Sequence, residues 1–252
     1  MQIMISHYSG CGNDFLIIDD RSRCFEPSQS HIQTLCKGVD GLILAQLPTV
    51  PLAHFKMKFY NRDGSEADMC GNGLRCLGMF IKEKFLFTES QCVIETNAGC
   101  LKLAFKEHVT VEIGSVQELG WNISLSHEGV PWTLHHFRVG VPHLVTFVDT
   151  IDAIDVMKIG SFFRHHPHFL PAGANVNFVD PVKCCIRTFE RGVEAETLAC
   201  GTGSTAAAFA LHKLYGHVLP IKLKVRSGEY LEVGFTQQNA TLSGPVTWVR
   251  DM

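Results

Sequence analysis

Short apolar runs separated by turn residues dominate this chain. Many are rich in Val, Ile, Phe and Thr, the composition that half-buried pleated strands favour. They predict strands over Phe15–Asp19, Leu42–Gln46, Phe55–Asn61, Cys92–Thr96, Leu101–Phe105 and Val109–Ile113. A second series follows over Thr133–Val139, Leu144–Val148, Val176–Val179, Cys185–Glu190, Ile221–Val225, Tyr230–Phe235 and Thr241–Val249. Turn chemistry punctuates the runs, as at Asn61-Arg62-Asp63-Gly64 and Asn97-Ala98-Gly99. Two segments follow a helical pattern instead, about Gly73 to Phe85 and about Gly203 to Tyr215, the second stopped by Gly216. Both are apolar on most faces, so each predicts a helix buried on most sides.

The helices mark an internal repeat. Each opens with Cys-Gly-x-Gly, at Cys70-Gly71-Asn72-Gly73 and Cys200-Gly201-Thr202-Gly203. A phenylalanine ending a strand-like run precedes both cysteines at one and the same spacing (Phe59, Phe189). A leucine in a later strand-like run follows both at a second shared spacing (Leu101, Leu231). Cys70 and Cys200 are themselves separated by about half the chain. The pattern predicts two copies of one α/β unit. The boundary is expected near Gly114–Asn122, where the strand pattern is interrupted, giving halves of 1–117 and 118–241.

Composition narrows the classes. The chain has 252 residues, 46% hydrophobic and 19% charged, enough to bury a core in one large domain or two small ones. A formal net charge of -3 with no basic tract gives no case for nucleic acid. No apolar run approaches the ~20 residues of a membrane helix. The first residues, Met1 to Tyr8, lack the basic and apolar regions of a signal peptide, so a cytoplasmic location is expected. That setting predicts reduced thiols for the ten cysteines. No Cys-x-x-Cys pair occurs, so no metal site is expected.

Cys-Gly-x-Gly carries the chemistry. Its glycines let the backbone turn sharply and approach a ligand. The first N–H groups of a helix have no partner within it and receive an anion such as a carboxylate. A cysteine there sits in a positive field that favours the thiolate. Two such starts facing one cleft suit inversion at an α-carbon, where one sulfur removes the proton and the other delivers one to the opposite face. The helix N–H groups stabilise charge spreading into the carboxylate. Neither a phosphate loop nor a dinucleotide fingerprint is apparent, and the reaction calls for no cofactor. Glu190 and Arg191, just before the second motif, have the charges to bind an ammonium and a carboxylate.

At these residues the sequence resembles the diaminopimelate epimerase family. The matching segments include Gly12-Asn13-Asp14-Phe15, Asp40-Gly41, Tyr60-Asn61-x-Asp63-Gly64-Ser65-Glu66 and Met69-Cys70-Gly71-Asn72-Gly73-x-Arg75-Cys76. They continue with Gly140-x-Pro142-His143, Asn175-x-Asn177-Phe178, Thr188-Phe189-Glu190-Arg191-Gly192 and Glu196-Thr197-x-Ala199-Cys200-Gly201-Thr202-Gly203. The resemblance implies an α/β (α+β) fold of two pseudo-symmetric domains, each a curved, mostly antiparallel sheet around a central helix. It implies that the C-terminal strand, 242–252, joins the first half. The implied reaction is LL- to meso-2,6-diaminopimelate, in lysine and peptidoglycan synthesis, by a homodimer without cofactor. Cys70 and Cys200 then match the acid/base pair. His143 and Glu190 match groups that orient it. Asn13, Asn61, Gly71, Asn72, Asn175, Glu190, Arg191, Gly201 and Thr202 match substrate-binding positions.

Two departures bear on specificity. Val141 stands where the family usually has asparagine reading the distal end of the substrate, and Val193–Thr197 is one residue longer than usual. Loss of one distal hydrogen bond would cost ~1.5–3 kcal/mol of discrimination and admit a shorter amino acid such as glutamate. A proline or hydroxyproline racemase is similar in fold and cysteine pairing, but typically has histidine where Asn72 stands. A non-catalytic diaminopimelate-binding protein is the alternative from another class.

Overall fold

The computed structural model describes residues 4–237 and 239–252. In chain order the first elements are β1 (Ile5–Gly10), β2 (Asn13–Asp19), α1 (Gln29–Leu35), β3 (Gly41–Gln46), β4 (Phe55–Asn61), β5 (Glu66–Ala67) and α2 (Gly71–Lys84). Next come β6 (Gln91–Thr96), β7 (Gly99–Phe105), β8 (Val109–Gly114), β9 (Gln117–His127), β10 (Val130–Val139), β11 (Val141–Phe147) and α3 (Val156–Arg164). The last are β12 (Asn175–Asp180), β13 (Cys185–Glu190), β14 (Ala195–Thr197), α4 (Gly201–Tyr215), β15 (Ile221–Lys224), β16 (Tyr230–Phe235), β17 (Ala240–Ser243) and β18 (Thr247–Asp251). This is the mixed, strand-rich α/β class that the sequence predicts. The chain divides into two compact units, Met1–Glu112 with Ser243–Met252, and Ile113–Leu242.

In the first unit, β18 pairs antiparallel with β1, β1 with β2, and β3 with β4. The β2–β3 pair is parallel. Parallel neighbours need a crossover, and α1 supplies it. Alternation sorts the side chains: Leu16 and Ile18 of β2 join Leu42 and Leu44 of β3 in a cluster with Ile32 of α1. Ile43, on the other face of β3, reaches the start of α2 beside Gly73. Sheet residues meet helices on both faces, so every residue of β3 is buried. Ten of the fourteen residues of α2 are buried, as a helix apolar on most sides requires.

The second unit repeats the plan. β9 pairs with β10 and β10 with β11, both antiparallel. β11 and β12 are parallel, joined across α3, and β12 pairs antiparallel with β13. Leu144, Val176 and Phe178 pack with Val156 and Phe163 of α3. Gly160 lets α3 cross close to β13, since a Cβ there would sit 2.5 Å from Cβ of Phe189. The repeat extends to register. Phe55 pairs with Ile94 in the first unit and Cys185 with Lys224 in the second, at the same offset that relates Cys70 to Cys200.

Three expectations need correction. Helices α1 and α3 lie where no helix was predicted. Within Gly114–Asn122, expected to interrupt the strands, the long strand β9 begins. The single strand expected over Thr241–Val249 is two, β17 and β18, parted at Gly244-Pro245, where proline cannot donate to a ladder. No helix among the described residues is long and apolar enough to cross a membrane.

Candidate active site

Both motif cysteines are helix N-caps. Cys70 precedes α2 with φ -135° and ψ 120°, and its Sγ accepts from the Gly73 N–H at 3.4 Å. Cys200 precedes α4 with φ -126° and ψ 109°, its Sγ 3.6 Å from Thr202 Oγ1. Cys70 is half-buried and Cys200 buried. Gly71 and Gly201 are the first helical residues, so the N–H groups of each helix start that lack intrahelical partners lie next to a sulfur. All ten cysteines are thiols, with no disulfide among the described residues.

In the first unit, strand ends bring the predicted residues together. β2 begins at Asn13, β3 begins just after Asp40 and β4 ends at Asn61, all at one edge of the sheet. The Asn72 amide donates to Asn13 Oδ1 at 2.5 Å, which places the start of α2 at this edge. Asn13 Nδ2 faces Asp40 Oδ2 at 3.4 Å, and Asp40 is held by Arg62 at 3.0 Å and by the Asp14 N–H at 2.9 Å. Asn61 donates to Ser65 Oγ at 3.1 Å.

The equivalent edge of the second unit holds the other set. β11 and β12 begin beside each other, with His143 in register with Asn175, and β13 ends at Glu190. The Arg191 N–H donates to Asn175 Oδ1 at 2.7 Å, and its guanidinium to the Ala172 carbonyl at 3.2 Å. Just beyond Arg191 the chain turns before β14. There Gly192 and Glu194 take positive φ, 89° and 57°. Val141 is half-buried, directly after the turn at Gly140 and shortly before His143.

His143 is fully buried, and its environment disfavours a second proton. Burial, then the charges of Arg191 and His136, pushes its pKa down to about 3. The hydrogen bonds agree. Amide nitrogens of Asn175 and Asn177 face its Nε2 and Nδ1 at 3.4 and 3.3 Å, so an imidazolium would point its protons at donors. Both amides are oriented independently. Asn177 donates to the Leu144 carbonyl at 2.8 Å and accepts from Thr188 at 2.9 Å, while Asn175 Oδ1 is committed to Arg191.

Asn177 belongs to this framework, and Arg75 donates to Asn72 in the first unit; the sequence assigned neither a role. Asn177 carried a signal: with Asn175 it puts two amides at i and i+2, on one face of a strand among the apolar Val176, Phe178 and Val179.

The same fold occurs in solved epimerases and in PhzF-family proteins. A phenazine biosynthesis protein of the PhzF family from Bacillus anthracis superposes with a TM-score of 0.75 at 16% identity, covering 100% of this chain and 99% of its own. A hydroxyproline epimerase from Agrobacterium vitis gives 0.73 at 15%, covering 99% and 91%. Closer sequence matches place the chain within that class. The diaminopimelate epimerase family model matches residues 5–119 and 136–249. Diaminopimelate epimerases of Hydrogenobaculum sp. and Aquifex aeolicus are each 38% identical, over 98% and 90% of this chain and 96% and 88% of their own length. The chain belongs to the diaminopimelate epimerase family and is an isomerase.

Proposed function

We propose that the protein interconverts LL- and meso-2,6-diaminopimelate by proton transfer between Cys70, Cys200 and the substrate α-carbon. The observation that carries this reading is the repeated N-cap cysteine. The same residue stands at the same helix position in both units, with φ of -135° and -126° and ψ of 120° and 109°. The names of the relatives support the substrate.

In this reading one sulfur, as thiolate, takes the α-proton, and the other, as thiol, delivers a proton to the opposite face. The sulfurs exchange roles in the reverse direction. The N–H groups after Gly71 and Gly201, with Asn72 and Thr202, receive the α-carboxylate as it gains charge. Glu190 takes the α-ammonium. Asn13, Asn61, Asn175 and Arg191 hold the rest of the substrate. His143, neutral at working pH, orients the groups around Cys200 as a dipole rather than a charge. The proposal includes two epimerase halves corresponding to the two units, no cofactor, a cytoplasmic homodimer, and service to lysine and peptidoglycan synthesis.

Val141 favours a second reading, a broadened site that also turns over glutamate, because a valine side chain offers no hydrogen bond to a distal charged group. Conversion of LL- to meso-diaminopimelate by reduced protein without added cofactor, lost on replacing either cysteine, tests the main reading. Inactivity toward the diaminopimelates with full turnover of another amino acid would replace it.

A further inference from the structure

We infer that Arg75 is a positioning residue that fixes which atoms of Asn72 and Asn13 a substrate meets, so that both present N–H donors to an anionic oxygen; this rests on the reading just proposed. Arg75 lies in the second turn of α2 and is fully buried. Its hydrogen bonds go to the Pro245 carbonyl at 2.9 Å, Asn72 Oδ1 at 2.8 Å and Cys11 Sγ at 3.6 Å. Its Nε has no partner among the described residues. None of these acceptors is a carboxylate. A buried guanidinium without one is costly to keep, and structure alone would be served as well by an apolar side chain.

The hydrogen-bond directions show what the charge achieves. Arg75 can only donate, so the Asn72 oxygen must face it and the Asn72 nitrogen must face away. That nitrogen donates to Asn13 Oδ1 at 2.5 Å, which turns the Asn13 nitrogen toward Asp40 Oδ2 at 3.4 Å. A carboxylate such as Asp40 can only accept, and Arg62 donates to its other oxygen. A cation at one end and a carboxylate at the other thus orient two amides in series. Each amide keeps one N–H beyond those the chain uses. Reversing Asn72 would bring two amide oxygens together and its nitrogen against the guanidinium. Pro245, in the C-terminal segment that returns to this unit, anchors the arginine from behind.

The test is a coupling measurement on the full-length protein. Arg75→Met should lower kcat/KM for LL-diaminopimelate at least 30-fold, mostly through KM, and Arg75→Lys should recover part of the loss. In an Asn72→Ala background, Arg75→Met should cost less than 3-fold, because the arginine acts through that amide. Equal losses in both backgrounds, or an unchanged KM in Arg75→Met, would overturn the inference. If Arg75→Met does not fold, Arg75→Lys carries the same comparison. A readout independent of turnover separates this inference from the proposed function: side-chain amide resonances of Asn72 and Asn13 in ligand-free protein. They should shift in Arg75→Lys, and unmoved resonances would refute the relay. A wild type inactive on every amino acid, with those resonances shifted, would remove the proposed substrate and leave the relay standing.

Discussion

Gly203 approaches Asn177 so closely that a Cβ on the glycine would overlap the asparagine Oδ1. That oxygen is not free to yield, because Asn177 is fully buried and held by Thr188, the Leu144 carbonyl and the His143 ring. The second glycine of the motif is thus what lets α4 start against the network around His143. At the matching position in the first unit, a Cβ on Gly73 would meet the terminal carbons of Ile43 and Met57, at 3.1 and 3.3 Å. Gly203→Ala should therefore destabilise by about 1–3 kcal/mol and cut turnover, and Gly73→Ala should cost less. Chemical denaturation of the two variants side by side checks the ordering, and equal losses would contradict it.

The buried His143 makes stability depend on pH in a defined window. Its pKa is about 3 in the folded protein, against about 6.5 in an unfolded chain. Between those values the unfolded chain binds a proton that the folded protein does not. Stability is full above about pH 6.5 and falls on acidification, by roughly 1.4 kcal/mol per pH unit, until about pH 3. Burial lowers His135 and His136 in the same direction, so they add to the slope. His143→Gln, which cannot titrate, should flatten the urea-midpoint profile between about pH 6.5 and 4.5. A slope equal to that of the wild type would show that His143 takes its proton while folded.

Val141→Asn tests the specificity reading. If the apolar side chain has loosened recognition of the distal end, the substitution should raise the preference for diaminopimelate over glutamate by about tenfold, the worth of roughly 1.5 kcal/mol. Relative kcat/KM across a panel of amino acids gives the answer. An unchanged ratio would mean that Val141 does not report on the distal end.

Each cysteine should be indispensable to inversion. Loss of one general acid/base group costs about 10²–10⁴ in rate. Cys70→Ala and Cys200→Ala should each fall by at least the upper part of that range, with unfolding transitions near that of the wild type. Both sulfurs must be reduced, so mild oxidation should silence the wild type and a thiol reductant restore it. A single variant with ordinary turnover would end the two-cysteine account.

How far the sequence could be read depended on how each segment is buried. Phe55–Asn61 and Cys185–Glu190 were legible to the residue, because sheet residues with one solvent-side neighbour in two alternate in polarity. Helix α1 left little trace, since only Ile32 of its seven residues is buried. Helix α3 did leave one: an Asp155 cap accepting from the Lys158 N–H, and buried Val156, Gly160 and Phe163 at i, i+4 and i+7. The parallel pairing that demands both helices is not written in either strand. β9 was missed because most of its side chains are at least partly exposed and polar residues interrupt it. At the site, the repeated cysteine motif was plain. The orientation of the amides was not: Asp40 and Thr188 reach Asn13 and Asn177 from other segments, and although Arg75 is one helical turn from Asn72, nothing in the pattern shows that its guanidinium turns inward onto that amide.

The most direct measurement is α-proton exchange in deuterated buffer, using reduced protein and no cofactor, with LL-diaminopimelate, meso-diaminopimelate, L-glutamate and L-proline compared. Deuterium uptake and stereochemistry are followed together. The account predicts uptake at the α-carbon of both diaminopimelates, accompanied by inversion, and its loss in both cysteine variants. No exchange with either diaminopimelate, or exchange that survives removal of a cysteine, would contradict it.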